Sequence, residues 1–119
     1  MSSRNRELVE QVNAAFARGD VEGFLSCCAD DVVWTMVGEK TMKGKQAIRG
    51  WMASAPAEPP DFTVDAIIAD SDFATAYGDM TMKEDGRIVP YSYCDVYRFK
   101  GDRIAEMKSF VIKRDKPSA

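Results

Sequence analysis

The sequence predicts an α+β domain, with three helices in the N-terminal half and a curved antiparallel sheet packed on them. Three observations carry that expectation. Residues 4 to 17 place Leu8, Val9, Val12, Ala15 and Phe16 on one helical stripe, with Glu7, Glu10, Gln11 and Asn13 opposite. From Phe62 onward the chain alternates apolar and polar residues with a period of two, the signature of strands. Asp85-Gly86 lies between two alternating runs, and such a pair is the strongest short hairpin signal.

With 119 residues the chain suffices for one core and not for two, so residues 1–119 read as a single domain. The net charge is -3 and the basic residues are scattered, which excludes a nucleic-acid footprint of clustered positive charge. No apolar run reaches membrane-spanning length, and MSSRNRELVEQ lacks a signal peptide's apolar segment, so the expected location is cytoplasmic, with no membrane partner. Three cysteines, Cys27, Cys28 and Cys94, make a disulfide framework unexpected. There is no histidine and no C-x-x-C pair, so no metal site and no cofactor are expected. Proton transfer here rests on Asp, Glu, Tyr, Lys or Cys.

In chain order, Gly19 ends the first helix and Asp20 caps a short second one in VEGFLSCCA, which buries Phe24, Leu25 and Cys28. VVWTMV, residues 32 to 37, is β-branched and aromatic and reads as a strand; Gly38 to Gly44 reads as a polar turn region. Lys45 to Ala53 reads as a third helix with Ile48, Trp51 and Met52 on its stripe. APAEPPD, with Pro56, Pro59 and Pro60, reads as a loop. FTVDAIIA and ATAYGDMTMK are strands around a turn at Asp70-Ser71-Asp72. The stretch Tyr91 to Val111 is a further pair of strands turning at Gly101-Asp102.

Counting outward from Asp85-Gly86 sets the register. Glu84 opposes Arg87, Met80 opposes Tyr91, Gly78 opposes Tyr93 and Ala76 opposes Asp95. One face then carries Ala76, Gly78, Met80, Met82, Val89, Tyr91, Tyr93, Asp95 and Tyr97, apolar but for one carboxyl, and should meet the helices. Ala76 and Gly78 leave room beside Asp95, and a glycine within a strand marks a bend. The other face carries Tyr77, Asp79, Ile88, Ser92, Cys94 and Val96, too apolar to stand open, and a second copy of the chain is the simplest cover. A homodimer through this outer sheet face is therefore expected.

Four segments carry a family resemblance: G-D-V-E-G-F from Gly19, A-D-D-V-V-W at 29 to 34, K-G-K-Q-A-I at 43 to 48 and D-V-Y-R-F-K-G-D-R-I at 95 to 104. In order and spacing they resemble the SnoaL-like and ketosteroid isomerase-related proteins of the nuclear transport factor 2-like superfamily. The resemblance covers nearly the whole chain. It implies a cone, a curved sheet and its helices around one deep apolar pocket, in a dimer. It also implies a role for Asp95, which matches the isomerase carboxylic acid that donates a hydrogen bond to a developing enolate. Other positions depart from the pattern. The isomerase's proton-shuttling aspartate falls on Met36, its oxyanion-hole tyrosine on Val12, and its flanking aromatic on Val111. The acid-bearing run of related epoxide hydrolases and cyclases falls on SFVI, with Ser109 and Ile112 at those places.

The candidate catalytic residues are thus Asp95 and, as its assistant, Tyr93. Val12, Phe16, Trp34, Met36, Trp51, Met52, Gly78, Met80, Tyr91, Tyr97, Met107 and Val111 are the expected lining of a site for a small apolar, carbonyl-bearing molecule. Tyrosine hydroxyls are expected to join Asp95 in a polar cluster, because buried phenols seek partners. Two alternatives stand beside this reading: a non-catalytic binding module in which Asp95 only anchors a ligand, and a dimerisation module whose cone is filled by side chains.

Overall fold

The computed structural model describes residues 2–54 and 61–114; the proline loop expected at 55 to 60 lies outside the described residues. Helix α1 (Ser2–Ala17) is followed by α2 (Val21–Leu25), β1 (Cys28–Met36), β2 (Lys40–Lys43) and α3 (Lys45–Ala53). Then come β3 (Asp61–Phe62), β4 (Ala66–Asp70), β5 (Phe73–Glu84), β6 (Arg87–Lys100) and β7 (Arg103–Lys113). α1 stops at Gly19, whose φ of 68° suits a residue without a side chain. The Asp20 carboxylate accepts from the Gly23 N–H at 2.9 Å and starts α2.

The strands form one sheet in the order β2-β1-β7-β6-β5-β3, with β4 also paired to β5. The β5–β6 register agrees with the count from the turn, from Glu84↔Arg87 through Ala76↔Asp95 to Phe73↔Arg98. Asp85 and Gly86 both have positive φ, 52° and 78°, as a primed hairpin turn requires.

Three expectations about local structure are corrected. The region Gly38 to Gly44 is not turn alone. Lys40–Lys43 form β2, folded back on β1 so that Trp34 opposes Met42. The run FTVDAIIA is two strands, because residues 63 to 65 bulge over Gly78 while Thr63 and Asp65 still donate to the β5 carbonyls of Asp79 and Tyr77. The sheet is not wholly antiparallel either. β1 runs parallel to β7, with Trp34↔Met107 and Met36↔Ser109. A parallel pair needs a long crossover, and here that crossover is residues 37 to 102, more than half of the chain, which no local periodicity reveals.

The helices lie on the concave face. α1 packs on β4 and β5, α3 on β1 and β2, and α2 joins the two helices. Leu8, Val9, Val12 and Ala15 from α1 meet Phe24, Leu25, Val32, Ile48, Ala74, Ala76, Tyr97, Phe99, Ile104 and Met107, all at most 3% exposed. Burial on this scale is the main stabilising term of the fold. Asn13, expected on the wet side of α1, is buried, and its Nδ2 has no hydrogen-bond partner among the described residues.

Candidate functional site

The concave face divides along the strands into a filled end and an open end. At the filled end Tyr97, Phe99, Ile104 and Met107 are sealed, and Val12 and Trp34 are buried with them. Toward the β5–β6 turn Met36, Trp51, Met52, Met80, Tyr91, Val111 and Asp95 itself are only partly buried, as is Phe16. Asp95 stands at the boundary. The far rim is polar, where Glu84 accepts from the Tyr91 hydroxyl and pairs with Lys113 at 3.8 Å. On the α3 side the Lys40 ammonium lies 5.8 Å from the centre of the Trp51 ring. Tyr91 and Asp95 are four steps apart on an extended strand, or about 13 Å.

Asp95 is placed by β6, between Ala76 on β5 and Ser109 on β7. Burial pushes its carboxyl up from 3.8 to about 6, and the hydrogen bond from the Ser109 hydroxyl works against that rise. A carboxyl near 6 is mostly ionised at neutral pH, yet a modest further loss of water would protonate it. It is thus poised to accept a hydrogen bond above that value and to donate one below it.

Ser109 was not among the residues singled out as candidates. Counting back from Lys100↔Arg103 without interruption would set Asp95 opposite Lys108, with Ser109 on the outer face. A bulge between Phe99↔Ile104 and Arg98↔Glu106 adds one residue to β7 and turns Ser109 inward. The Ser109 hydroxyl is buried and accepts from the Trp34 indole N–H at 2.8 Å. Trp34 is held in turn by aromatic contacts with Phe16 at 6.0 Å, Phe24 at 5.4 Å and Trp51 at 5.5 Å between ring centres.

The expected tyrosine cluster around Asp95 does not form. The Tyr93 hydroxyl donates to the Thr63 carbonyl at 2.6 Å, and the Tyr91 hydroxyl is engaged by Glu84. The Tyr97 hydroxyl is buried with no partner among the described residues. Burial, with Asp95 next in its effect, pushes the Tyr93 phenol up to about 12, so its proton stays on and its only recorded acceptor is the peptide carbonyl.

The room anticipated at Gly78 is also taken. A Cβ built there would sit 2.1 Å from the Thr63 carbonyl oxygen, so backbone fills the place a side chain would occupy. Ala76, by contrast, is fully buried in the core.

Two concavities stand out among the described residues, and neither touches Asp95. One is an open groove of about 310 Å³ on the outer sheet face, bordered by Tyr77, Asp79, Ser92, Cys94, Phe110 and Ile112. The other, about 290 Å³, lies at the β1–β2 turn beside Met36 and Lys40. Asp79 is outward as expected, accepting from Ser92 at 3.0 Å and pairing with Arg114 at 3.8 Å. Among the described residues no group of three His, Cys, Asp or Glu side chains is placed to hold a metal ion, and no helix is long and apolar enough to cross a membrane.

An N-terminal set of helices on a bent, mostly antiparallel sheet is the α+β fold seen in solved nuclear transport factor 2-like structures. The chain belongs to the SnoaL-like domain family, whose pattern it matches over residues 9–107. Similar solved structures include a nuclear transport factor 2-like protein of unknown function from Cytophaga hutchinsonii, 24% identical with a TM-score of 0.77, the match covering 90% of this chain and 98% of that one. A candidate ketosteroid isomerase from Kribbella flavida is 14% identical with a TM-score of 0.83, covering 99% and 84%. An LEH-like epoxide hydrolase from M. tuberculosis is 16% identical with a TM-score of 0.81, covering 92% and 84%. At these identities the likeness establishes the fold alone. No curated protein matches the chain.

Proposed function

We propose that the open end of the concave face binds a small apolar molecule bearing a carbonyl or similar oxygen, with Asp95 as its polar anchor. The observation that carries this reading is the boundary position of Asp95. It is a carboxyl raised to about 6 by burial, with partly exposed apolar side chains Met36, Trp51, Met52, Met80 and Val111 on the surrounding elements. Small-molecule sites have this make-up, mostly apolar walls with a few placed polar groups. Methionines suit it because their unbranched side chains adapt to several ligand shapes. A ligand that displaces water from Asp95 raises the carboxyl further, so the protonated acid donates to the ligand oxygen at neutral pH.

Anchoring is favoured over turnover. An isomerisation of the ketosteroid type needs a proton acceptor as well as a hydrogen-bond donor, and Met36 cannot move a proton. Tyr93 is engaged with Thr63, so it does not supply the second group. If the protein is an enzyme, Asp95 carries the chemistry alone.

The test is ligand-observed NMR with a panel of apolar cyclic ketones against the wild type and D95N. Binding by the wild type, weakened about tenfold or more in D95N, supports the anchor. Equal binding by both proteins removes Asp95 from the site.

The same proposal includes a homodimer. Tyr77, Phe110 and Ile112, which border the open groove, stand 43%, 38% and 67% exposed on the outer face, and Ile88 on the same face is 70% exposed. A second copy laid on this face would cover them, and a stable interface needs about 1,000 Å² or more. A monomer by sedimentation at micromolar concentration would refute it. Three free thiols, Cys27, Cys28 and Cys94, fit the proposed reducing, cytoplasmic setting.

A further inference from the structure

We propose that Ser109, oriented by the indole of Trp34, is the positioning residue of Asp95, committing one carboxyl oxygen to accept and leaving the titrating proton to the other. The argument is one of donor and acceptor counts. An indole N–H donates and cannot accept. The Trp34 N–H lies 2.8 Å from Ser109 Oγ, so that oxygen is the acceptor and the serine's one proton must be spent elsewhere. The acceptor that faces it is the carboxyl of Asp95, the residue directly across the β6–β7 ladder on the same face of the sheet.

The relay crosses three adjacent strands, β1 to β7 to β6, and each step is held by the sheet. Ser109 pairs with Met36 on one side and Asp95 on the other, and its carbonyl accepts from the Val37 N–H at 3.0 Å. Trp34 and Ser109 are 6% and 3% exposed, so water does not compete for either group. A buried serine hydroxyl free to rotate would accept or donate as circumstances required. This one is locked by a neighbour that can only donate.

The consequence concerns direction. Whether Asp95 is ionised or neutral, the oxygen facing Ser109 accepts a hydrogen bond. When Asp95 takes up its own proton, that proton therefore sits on the other oxygen. A ligand meeting that oxygen finds a donor in the acid form and an acceptor in the ionised form, with no change in the position of the carboxyl.

The groups around Asp95 leave this relay as its polar connection. Tyr93 and Tyr97 flank it on β6, and both phenols keep their protons at neutral pH. Ala76 and Gly78 on β5, Trp34 and Met36 on β1, and Met107 and Val111 on β7 carry no charge. Val12 and Phe16 of α1 and Trp51 and Met52 of α3 are likewise uncharged. The cation on the α3 side, Lys40, lies over Trp51.

The inference rests on Asp95 being the polar group of the proposed site, but its experiment uses no ligand. The indole N–H resonances of Trp34 and Trp51 are followed by two-dimensional nitrogen-proton NMR from pH 4 to 8, alongside the Asp95 carboxyl carbon. The Trp34 resonance is expected to move with the midpoint of the Asp95 carboxyl, because the proton event reaches it through Ser109, and Trp51 serves as the internal control. In D95N the Trp34 resonance should be flat. In S109A it should lose the titration, while the Asp95 midpoint rises by on the order of one pH unit as the hydrogen bond to the ionised form is lost. S109T, which keeps the hydroxyl, should restore both.

A Trp34 resonance that ignores the Asp95 midpoint in the wild type overturns the relay, and so does one that titrates unchanged in S109A. The wild-type and D95N comparison decides the matter even if S109A does not fold. Ketones failing to bind while the indole titrates would remove the ligand reading and leave the relay standing.

Discussion

Replacing Asp95 by Asn should make the protein more stable near pH 7.5 and remove a specific part of its pH dependence. Folding raises the Asp95 carboxyl from 3.8 to about 6, because the loss of water outweighs the Ser109 hydrogen bond. In the unfolded chain the proton leaves near 3.8, and in the folded protein near 6. Between those values the folded state holds more protons than the unfolded state, so stability falls as pH rises through the window. Below about pH 4 the penalty is absent, and above about pH 7 it is complete and constant.

At ~1.4 kcal/mol for each pH unit, the full difference is about 3 kcal/mol. Asp95 keeps some contact with solvent, so about 2–3 kcal/mol is the expected loss. Asn has nearly the same shape and still accepts from Ser109, but it carries no charge to desolvate. Asp20 and Glu22 have lowered carboxyls and contribute with the opposite sign, Asp20 chiefly through the Gly23 N–H and Glu22 through Arg49. Both are present in each protein and cancel in the difference.

The assay is urea unfolding of wild type and D95N from pH 3.5 to 8 at one protein concentration, since a dimer's stability depends on concentration. The stability of D95N relative to wild type should climb by about 2–3 kcal/mol between pH 4 and pH 7, equivalent to roughly 10 °C in melting temperature. Parallel curves, or a wild type that gains on D95N with rising pH, would show that the folded carboxyl is not raised and would refute the reasoning.

Two further predictions address packing. G78A should cost roughly 2–4 kcal/mol, because the new Cβ would lie 2.1 Å from a backbone oxygen that has no flexible side chain to yield; a loss below about 0.5 kcal/mol in chemical denaturation would mean the chain at Thr63 moves aside freely. Y97F should leave stability unchanged or raise it by ~1 kcal/mol, since it deletes a buried hydroxyl without a recorded partner. A clear destabilisation of Y97F would show that the hydroxyl is satisfied in solution, for instance by an internal water.

Features that depend on neighbours along the chain are legible in the residue order. The amphipathic stripe of α1, the Asp20 cap and the apolar stripe of α3 follow from spacing. The β5–β6 register follows from a two-residue turn that admits one pairing, and that register is what set Asp95 on the concave face. The segments resembling SnoaL-like proteins led to the family that the chain belongs to.

The partners of the polar groups around Asp95 follow instead from contacts between segments remote in sequence. The parallel pairing of β1 with β7 joins residues 34 and 109, which are remote in sequence, and no periodicity encodes it. The bulge that turns Ser109 inward adds one residue, and a shift of one residue reverses every side chain beyond it. Tyr93 looked available because its strand position is local information, but the carbonyl that accepts its hydrogen bond arrives from Thr63 across the sheet. Gly78 looked like empty space for the same reason, until that backbone filled it. Alternation along a strand tells which face a side chain takes; which atom meets it there depends on chain segments that only the folded protein brings together.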